Sequence, residues 1–229
     1  MPTALAAKSR RRWFIAGGGD GPAIREACAF PEAEEIVCVD ISRTVKQSTQ
    51  IFAPSFWGDA ARHLATGRLT IIHRDMFAVA KEMVTAGRQF DIGIFDLTDR
   101  EDDEYTPFEK STADHLYTDE TVALFKSCMT PGAIVGGQFQ ECSRIRSSGH
   151  MEACALFERH FRYVRSYRIF IDFFGYWEGF LIASDEPVVE TFPHRINAER
   201  LLDPGFYMGT LAPYFTNDIA IGLAAIPRW

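Results

Sequence analysis

Acidic side chains recur along this chain where apolar runs end, and carboxylates in such places can do chemistry. Five of them either follow an apolar run or lie in the loop just after one: Asp20, Asp40, Asp75, Asp96 and Asp99. Carboxylates gathered at one place can hold cations, accept hydrogen bonds from sugar hydroxyls and take protons from amines. Whether they meet depends on the elements that position them.

The glycine loop at residues 17–21 follows the apolar run 13–16. Glycines let a ligand approach the backbone where a Cβ would block it. Those expected to contact a ligand are Gly17, Gly19 and Gly21. Such a loop after a first strand is typical of nucleoside-binding βαβ units, and Asp40 then lies where a ribose diol would be held. Asp20 is unusual there, since an acid repels a pyrophosphate and suits a cationic ligand instead.

Strand-like and helix-like segments alternate along most of the chain. The apolar runs predict strands at 12–16, 36–40, 69–73, 90–95, 133–138, 161–170 and 177–184. Periodicity and capping residues such as Ser42 and Thr118 predict helices at 21–30, 42–51, 76–86, 118–129 and 149–160. Short helices are expected within 53–67 and near 197–202 and 216–224. This order predicts an α/β, Rossmann-like fold with a mostly parallel seven-stranded sheet and helices on both faces. We expect one domain over residues 1–229, because no repeat or linker interrupts the sequence.

In an open sheet of this kind, ligands bind beyond the carboxyl ends of the strands, where the five acids would meet. Each acid alone has a plainer interpretation as a helix cap. We expect Asp40 to accept hydrogen bonds from ribose hydroxyls and Asp75 to accept one from an adenine amino group. Amines would be held by a cluster of Asp20, Asp96 and Asp99, in which Asp96 is the strongest candidate because it follows a buried strand directly.

Two segments have more than one interpretation. Residues 96–104 hold six carboxylates in nine positions, which fits either a solvated loop or a gate over an amine-binding cleft. The aromatic run 170–177 fits core packing, or the wall of a cleft for a methylene chain with Trp177 near a cation. Exposed aromatic side chains in this run would also suit a homodimer contact.

The composition of the chain argues against several classes of function. The chain has 24 Lys+Arg against 31 Asp+Glu, a net charge of -7, which argues against a nucleic-acid surface and favours a cationic small ligand. Five cysteines without paired spacing predict reduced thiols and a cytoplasmic protein. No apolar run approaches the roughly 18 residues of a membrane span. Metal-binding spacings, the GxSxG motif and the Walker A motif are also absent from the sequence, so we expect no metal.

Several segments carry a resemblance to a known family. They are Gly17-Gly-Gly-Asp-Gly21 with Ile24-Arg-Glu26, Val39-Asp40-Ile41, Arg74-Asp75, Asp96-Leu-Thr-Asp99, Leu116-Tyr-Thr118, Pro131-Gly-Ala-Ile-Val135 with Gln138, Tyr214-Phe-Thr-Asn-Asp-Ile219 and Ala225-Ile-Pro-Arg228. From about residue 8 to its end, the chain resembles the polyamine aminopropyltransferases, the spermidine synthase family. The resemblance implies the fold type of the S-adenosylmethionine-dependent methyltransferases.

The resemblance also implies a reaction. Decarboxylated S-adenosylmethionine would be the co-substrate, with its ribose at Asp40 and Ile41 and its adenine near Asp75 and Met76. Its aminopropyl ammonium would lie by Asp20 and Asp96. The catalytic residues would be Asp96, which takes a proton from the acceptor amine, and Asp99, which orients it. Transfer to a di- or polyamine would release methylthioadenosine. Residues Asp20, Asp99, Phe173 and Trp177 would form the amine site.

The sequence also departs from the family pattern. Family members carry an N-terminal β domain before the glycine motif, and only residues 1–16 precede that motif here, so we expect a chain without this domain. Phe173 stands where the family has an active-site tyrosine, which removes a hydroxyl. Two alternatives therefore stay open: an S-adenosylmethionine-dependent methyltransferase on the same fold, and a non-catalytic relative that binds polyamines or nucleosides.

Overall fold

The computed structural model describes residues 2–99, 113–144, 146–171 and 175–187. Most of the predicted acidic loop, Phe173, and the two predicted tail helices lie outside the described residues. The strands are β1 (Arg12–Gly17), β2 (Glu35–Val39), β3 (Leu69–Ile72), β4 (Phe90–Asp96), β5 (Met129–Glu141), β6 (Tyr163–Ile171) and β7 (Tyr176–Ser184). The helices are α1 (Pro2–Ala6), α2 (Pro22–Cys28), α3 (Arg43–Phe52), α4 (Ala60–Ala65), α5 (Met76–Thr85), α6 (Asp119–Ser127) and α7 (Ser148–Glu158), with 3-10 turns at Pro54–Phe56 and Asp114–Leu116. No helix within these ranges is long and apolar enough to cross a bilayer.

The seven strands form one sheet in the order β3-β2-β1-β4-β5-β7-β6. Strands β1 to β5 pair in parallel, and β7 runs antiparallel between β5 and β6. The mostly parallel seven-stranded sheet predicted from the sequence is therefore confirmed. The strand order reverses between β1 and β4, and a sheet of this type opens a crevice for ligands at that point.

Alternating side chains of the central strands supply the two layers of the core. On β1, Trp13 and Ile15 face the layer that includes α1, α2 and α4, whereas Phe14 and Ala16 face α5, α6 and α7. Successive side chains of a strand point to opposite sides of the sheet, so every second residue of β1 is buried in the same layer. Helices on both faces, the second part of the predicted architecture, are confirmed.

A group of phenylalanines fixes the end of β4. Phe95 is 1% exposed and its ring lies 4.7 Å from that of Phe125 and 5.7 Å from that of Phe157, both in edge-on geometry. Burying a phenylalanine of this kind contributes about 1.5–3 kcal/mol. The next residue is Asp96, so the packing of one side chain sets the position of the carboxylate that follows it.

Two local features differ from the prediction. Residues 2–6 form a short helix, α1, which is too short to show periodicity, and Thr3 packs so tightly on β5 that a Cβ on Gly136 would lie 2.2 Å from its Oγ1. Strand β5 begins at Met129 rather than at residue 133, so Pro131 and Gly132 lie within the strand instead of before it. The two residues form an irregularity within it, where the pairing with β4 shifts register and Gly132 has a φ of 78°.

Candidate active site

Asp40 joins the glycine loop to the end of β2. Its Oδ2 accepts a hydrogen bond from the Gly19 N–H at 2.9 Å, and its Oδ1 accepts one from the Ser42 N–H at 2.7 Å. A Cβ on Gly19 would lie 2.5 Å from Asp40 Cγ, so only glycine permits this approach. The loop and the acid are therefore held as one unit, and each carboxylate oxygen keeps a second acceptor position for a ligand hydroxyl.

Asp96 lies beside the same loop because β1 and β4 are neighbours. Gly17 is its partner across the two strands, and the Gly18 N–H donates to the Asp96 backbone oxygen at 3.1 Å. Gly17 has a φ of 81°, and a Cβ there would lie 1.8 Å from that oxygen. The first glycine thus turns the chain away from the sheet against the end of β4.

The surroundings of Asp96 change its proton affinity. Burial raises the pKa of its carboxyl to about 7, and the negative charges of Asp20, Asp40 and Asp99 act in the same direction. A carboxyl group with a pKa near neutrality exchanges protons readily at physiological pH, as a general base must. A pKa in this range suits Asp96 to proton transfer.

Asp20 and Asp99 are close enough for their charges to act on Asp96. Burial raises the pKa of Asp20, with a smaller effect from Asp40, and backbone N–H groups at Asp20 and Gly21 offset part of the shift. Burial also raises the pKa of Asp99, against a hydrogen bond from the Gln140 N–H to its Oδ1 at 3.2 Å. Two half-buried acids near Asp96 leave a concentration of negative charge that a cation would relieve.

A cavity of about 500 Å³ opens at this edge of the sheet, within the size range of small-molecule sites. Eight of the predicted site residues line it: Gly17, Gly19, Asp20, Asp40, Ile41, Asp75, Met76 and Asp96. Ile41 is 76% exposed and Val45 is 41% exposed, both at the wall of the cavity. Exposed apolar side chains beside carboxylates suit a ligand that has both a flat apolar part and polar groups.

Asp75 is a helix cap, which is the plainer interpretation that the sequence offered for each of these acids. Its Oδ1 accepts a hydrogen bond from the Ala78 N–H at 2.9 Å and so caps α5. It also lines the cavity together with Met76 and Phe77, and the Phe77 ring lies 5.9 Å from that of His115. The two aromatic rings give this end of the cavity faces against which a nucleobase can pack.

Three of the other predicted residues do not line the cavity. Gly21 precedes α2 with a φ of 115° and faces Trp57 rather than the cavity. Asp99 does not line the cavity but influences Asp96 from beyond it. Trp177 is 42% exposed, and the Arg168 guanidinium lies 4.9 Å from its ring centroid, so the cation near it belongs to the protein. Phe173 is not among the described residues.

Sequence reasoning missed some residues of the site. Phe77 and His115 lack any motif that marks them in advance, because they are far apart in the sequence and their rings meet only in the folded chain. Ser42 was expected only to cap α3, which it does by accepting from the Val45 N–H at 3.2 Å, and its own N–H also fixes Asp40. Glu178 has a signal in the sequence, an acid inside the apolar strand β7, which the structure buries to 1% exposure. Within the described ranges, no group of three or more ligating side chains could hold a metal ion.

Comparisons with known proteins identify the family. The model of the spermine/spermidine synthase domain matches residues 3–192. Polyamine aminopropyltransferase 1 of Hyperthermus butylicus is 29% identical over 204 residues, covering 87% of this chain and 66% of the relative. The polyamine aminopropyltransferase of Pyrobaculum arsenaticum is 27% identical over 212 residues, covering 91% of this chain and 70% of the relative. The chain thus spans about two thirds of the length of these relatives.

Solved structures share the fold. A spermidine synthase in complex with the transition state analogue AdoDATO superposes with a TM-score of 0.76 at 17% identity, covering 99% of this chain and 70% of that one. The spermidine synthase from Thermotoga maritima gives a TM-score of 0.74 at 14% identity. At such identities the likeness establishes the architecture alone, and the match of the family model carries the assignment. The chain belongs to the spermine/spermidine synthase family.

Proposed function

We propose that this protein transfers an aminopropyl group from decarboxylated S-adenosylmethionine to a di- or polyamine and releases methylthioadenosine. The observation that carries the proposal is the position of Asp96, whose carboxyl pKa is raised to about 7 and which shares one cavity with Asp20 and Asp40. The names of the relatives, polyamine aminopropyltransferases, support the same reaction. We further propose a single nucleoside-binding catalytic domain over residues 1–229.

The donor would bind along the wall of the cavity. Its ribose hydroxyls would donate to the free acceptor positions of Asp40, and its adenine would lie against Ile41, Met76 and the Phe77 ring. The adenine amino group would donate to Asp75, whose second oxygen is not needed for the helix cap. Gly17 and Gly19 leave room for the ligand beside the backbone.

The chemical step needs a neutral acceptor nitrogen. An alkyl ammonium has a pKa near ~10.4, so it must lose a proton before it can attack. Asp96 would take that proton, and the nitrogen lone pair would form a bond to the methylene next to the sulfonium. The C–S bond breaks, its electron pair goes to sulfur, and the neutral thioether leaves. Asp99 would orient the acceptor, since alignment of two bound reactants supplies much of the acceleration.

Asp20 would set the choice of donor. The decarboxylated compound ends in an ammonium group, which the acids near Asp96 attract. Ordinary S-adenosylmethionine carries a carboxylate on the same chain, and placing it beside Asp20 and Asp96 brings like charges together. A repulsive element of this kind excludes one ligand without adding contacts to the other.

Donor binding and product analysis test the proposal together. Calorimetry should give tighter binding of the decarboxylated donor than of S-adenosylmethionine, and Asp20→Asn should reduce that preference. Incubation with the decarboxylated donor and a panel of amines should release methylthioadenosine. Tight binding of S-adenosylmethionine with formation of S-adenosylhomocysteine would instead establish a methyltransferase. Binding without product from any amine would establish a non-catalytic relative.

Two broader proposals accompany this one. The five cysteines are free and buried, which fits the reducing conditions of the cytoplasm. Phe170 and Trp177 are 44% and 42% exposed and pack edge-on with ring centroids 5.6 Å apart, so they would suit a contact between two copies. Sedimentation of the wild type against Trp177→Ser would test the homodimer.

A further inference from the structure

Glu178 is a buried acid that the proposed reaction does not use. It is the third residue of β7 and is 1% exposed. Neither of its carboxyl oxygens accepts or donates a hydrogen bond within the part of the chain that the structure describes. Buried polar groups are nearly always paired, so an unpaired carboxyl indicates a partner other than the described residues.

Other acids surround this carboxyl. Glu141 is its direct neighbour across β5 and β7, and Asp99 is close enough to act on it. Burial raises the pKa of Glu178 to about 7, with Asp99 and Glu141 adding like-charge repulsion. Burial has the largest effect on the Tyr176 hydroxyl and raises its pKa. The charges of Glu178, Asp99 and Glu141 act in the same direction. Arg146 reaches one member of the group, Glu141, at 3.9 Å.

The group is continuous with the candidate active site. The negative charge of Asp99 acts on both Asp96 and Glu178. Its position is fixed by the Gln140 N–H, and Gln140 has a φ of 62°, a left-handed conformation that non-glycine residues rarely adopt. This strained turn immediately precedes Glu141. Local backbone strain of this kind is concentrated at functional sites.

A chain of contacts therefore connects the donor cavity with β7. Asp20 and Asp96 line the cavity, Asp99 accepts from the residue that precedes Glu141, and Glu141 pairs with Glu178. A row of anions at intervals is complementary to a chain of cations at intervals, which is the chemistry of a linear polyamine. A protonated Glu178 would still need an acceptor for its O–H, and a metal ion would need a set of three ligands that the described residues do not provide. An alkyl ammonium satisfies both oxygens and the charge.

We propose that Glu178, with Glu141 beside it, binds an ammonium group at the far end of the acceptor site. This inference rests on the proposed function. The reacting amine would lie at Asp96, a second nitrogen at Asp99 and a third at Glu178. The preferred acceptor is then a linear triamine or longer polyamine rather than a diamine.

The test compares two acceptors in three proteins. Initial rates with 1,4-diaminobutane and with spermidine give the ratio of their kcat/KM values in the wild type, in Glu178→Gln and in Glu158→Gln. Glu178→Gln should lower the spermidine to diaminobutane ratio by at least about tenfold, mainly through the KM for spermidine. Glu158 is exposed on α7, so Glu158→Gln removes the same charge and should leave the ratio unchanged. Glu141→Gln should shift the ratio in the same direction by less.

Calorimetry separates this inference from the proposed function. If the wild type transfers an aminopropyl group and Glu178→Gln keeps the wild-type ratio, the distal subsite is overturned and the reaction stands. If no amine gives product, the proposed reaction fails, and spermidine binding then decides the subsite. Weaker binding to Glu178→Gln than to Glu158→Gln would support it, and equal binding would overturn it. Thermal melts of each variant check the fold.

Discussion

A carboxyl group that is costly to ionise lies where the proposed reaction would need a base. Asp96 is held by the buried Phe95 before it and faced by the acids Asp20, Asp40 and Asp99, so its charged form is disfavoured in the empty site. The sulfonium and ammonium of a bound donor would reverse part of this effect. A bound cation would therefore favour the charged form of Asp96.

Replacement of the base should stop turnover without removing the donor. Asp96→Asn keeps the shape of the side chain but cannot take a proton, and kcat should fall by about 10²–10⁴. Fixed-time assays of methylthioadenosine release measure this change in kcat. Asp59→Asn alters an exposed acid and should behave as the wild type. Normal turnover in Asp96→Asn would remove Asp96 from the role of base.

The same substitution should stabilise the empty protein at alkaline pH. The folded-state pKa of Asp96, about 7, lies above the unfolded value, so the folded state binds more protons between about pH 4 and pH 7. Its contribution to stability is complete below pH ~4 and is lost as the pH rises through 7. Asp96→Asn should therefore be more stable than the wild type by about 1–3 kcal/mol at pH 8.

Urea denaturation of both proteins at pH 5 and pH 8 measures this difference. The gain should be smaller at pH 5, where Asp96 is mostly protonated. Glu178 also has a raised pKa of about 7 and is present in both proteins, so some pH dependence will persist in the variant. Equal loss of stability in the two proteins between these pH values would show that Asp96 does not carry the shift.

The glycine loop and β2 depend on each other for their geometry. Gly19 has no left-handed backbone angle, so its requirement is steric: a Cβ would lie 2.5 Å from Asp40 Cγ. Gly19→Ala should displace Asp40 and weaken donor binding by at least about tenfold, the equivalent of one charge-assisted hydrogen bond. Calorimetry with the decarboxylated donor measures the effect.

Gly87 provides the control for this substitution. It has a φ of 65°, and a Cβ at this position would meet no atom within 4 Å, so Gly87→Ala tests backbone strain far from the site. That variant should lose about 1 kcal/mol of stability and bind the donor normally. Wild-type donor binding by Gly19→Ala would show that the loop can move without disturbing the ribose site.

The sequence predicted the features that depend on interactions between residues close together in the chain. The glycine loop, the caps Ser42 and Thr118, and the acids at strand ends follow from chain geometry and hydrogen bonding within a few residues. Helix α1 was not predicted, because five residues are too few to show helical periodicity and the helix is held by contact with β5. The irregularity at Gly132 arises from pairing with β4, which a single segment does not encode.

The pair of Glu141 and Glu178 shows most clearly what the sequence alone does not predict. Glu141 and Glu178 are 37 positions apart and meet only because β7 inserts antiparallel beside β5. The sequence marks Glu178 as an acid in an apolar strand but not which residues face it. Its burial and its neighbours depend on the register of two strands, and that register is set by the whole sheet.

The whole molecule carries a net charge of -7, which favours the approach of cationic substrates. The kcat/KM for an amine should therefore fall several-fold as ionic strength rises from about 0.01 M to about 0.15 M, since the Debye length shortens from ~30 to ~8 Å. Binding of methylthioadenosine, which is uncharged, should change little. Initial rates and calorimetry over a sodium chloride series measure the two effects, and equal salt dependence would argue against electrostatic attraction.

The most direct measurement follows the transferred group itself. The protein would be incubated with decarboxylated S-adenosylmethionine labelled in the aminopropyl chain and with an amine, and the products identified by mass spectrometry. We expect the label in a lengthened amine, methylthioadenosine in equal amount, and neither product with Asp96→Asn. An unlabelled amine together with an intact donor, or a methylated amine from S-adenosylmethionine, would contradict aminopropyl transfer.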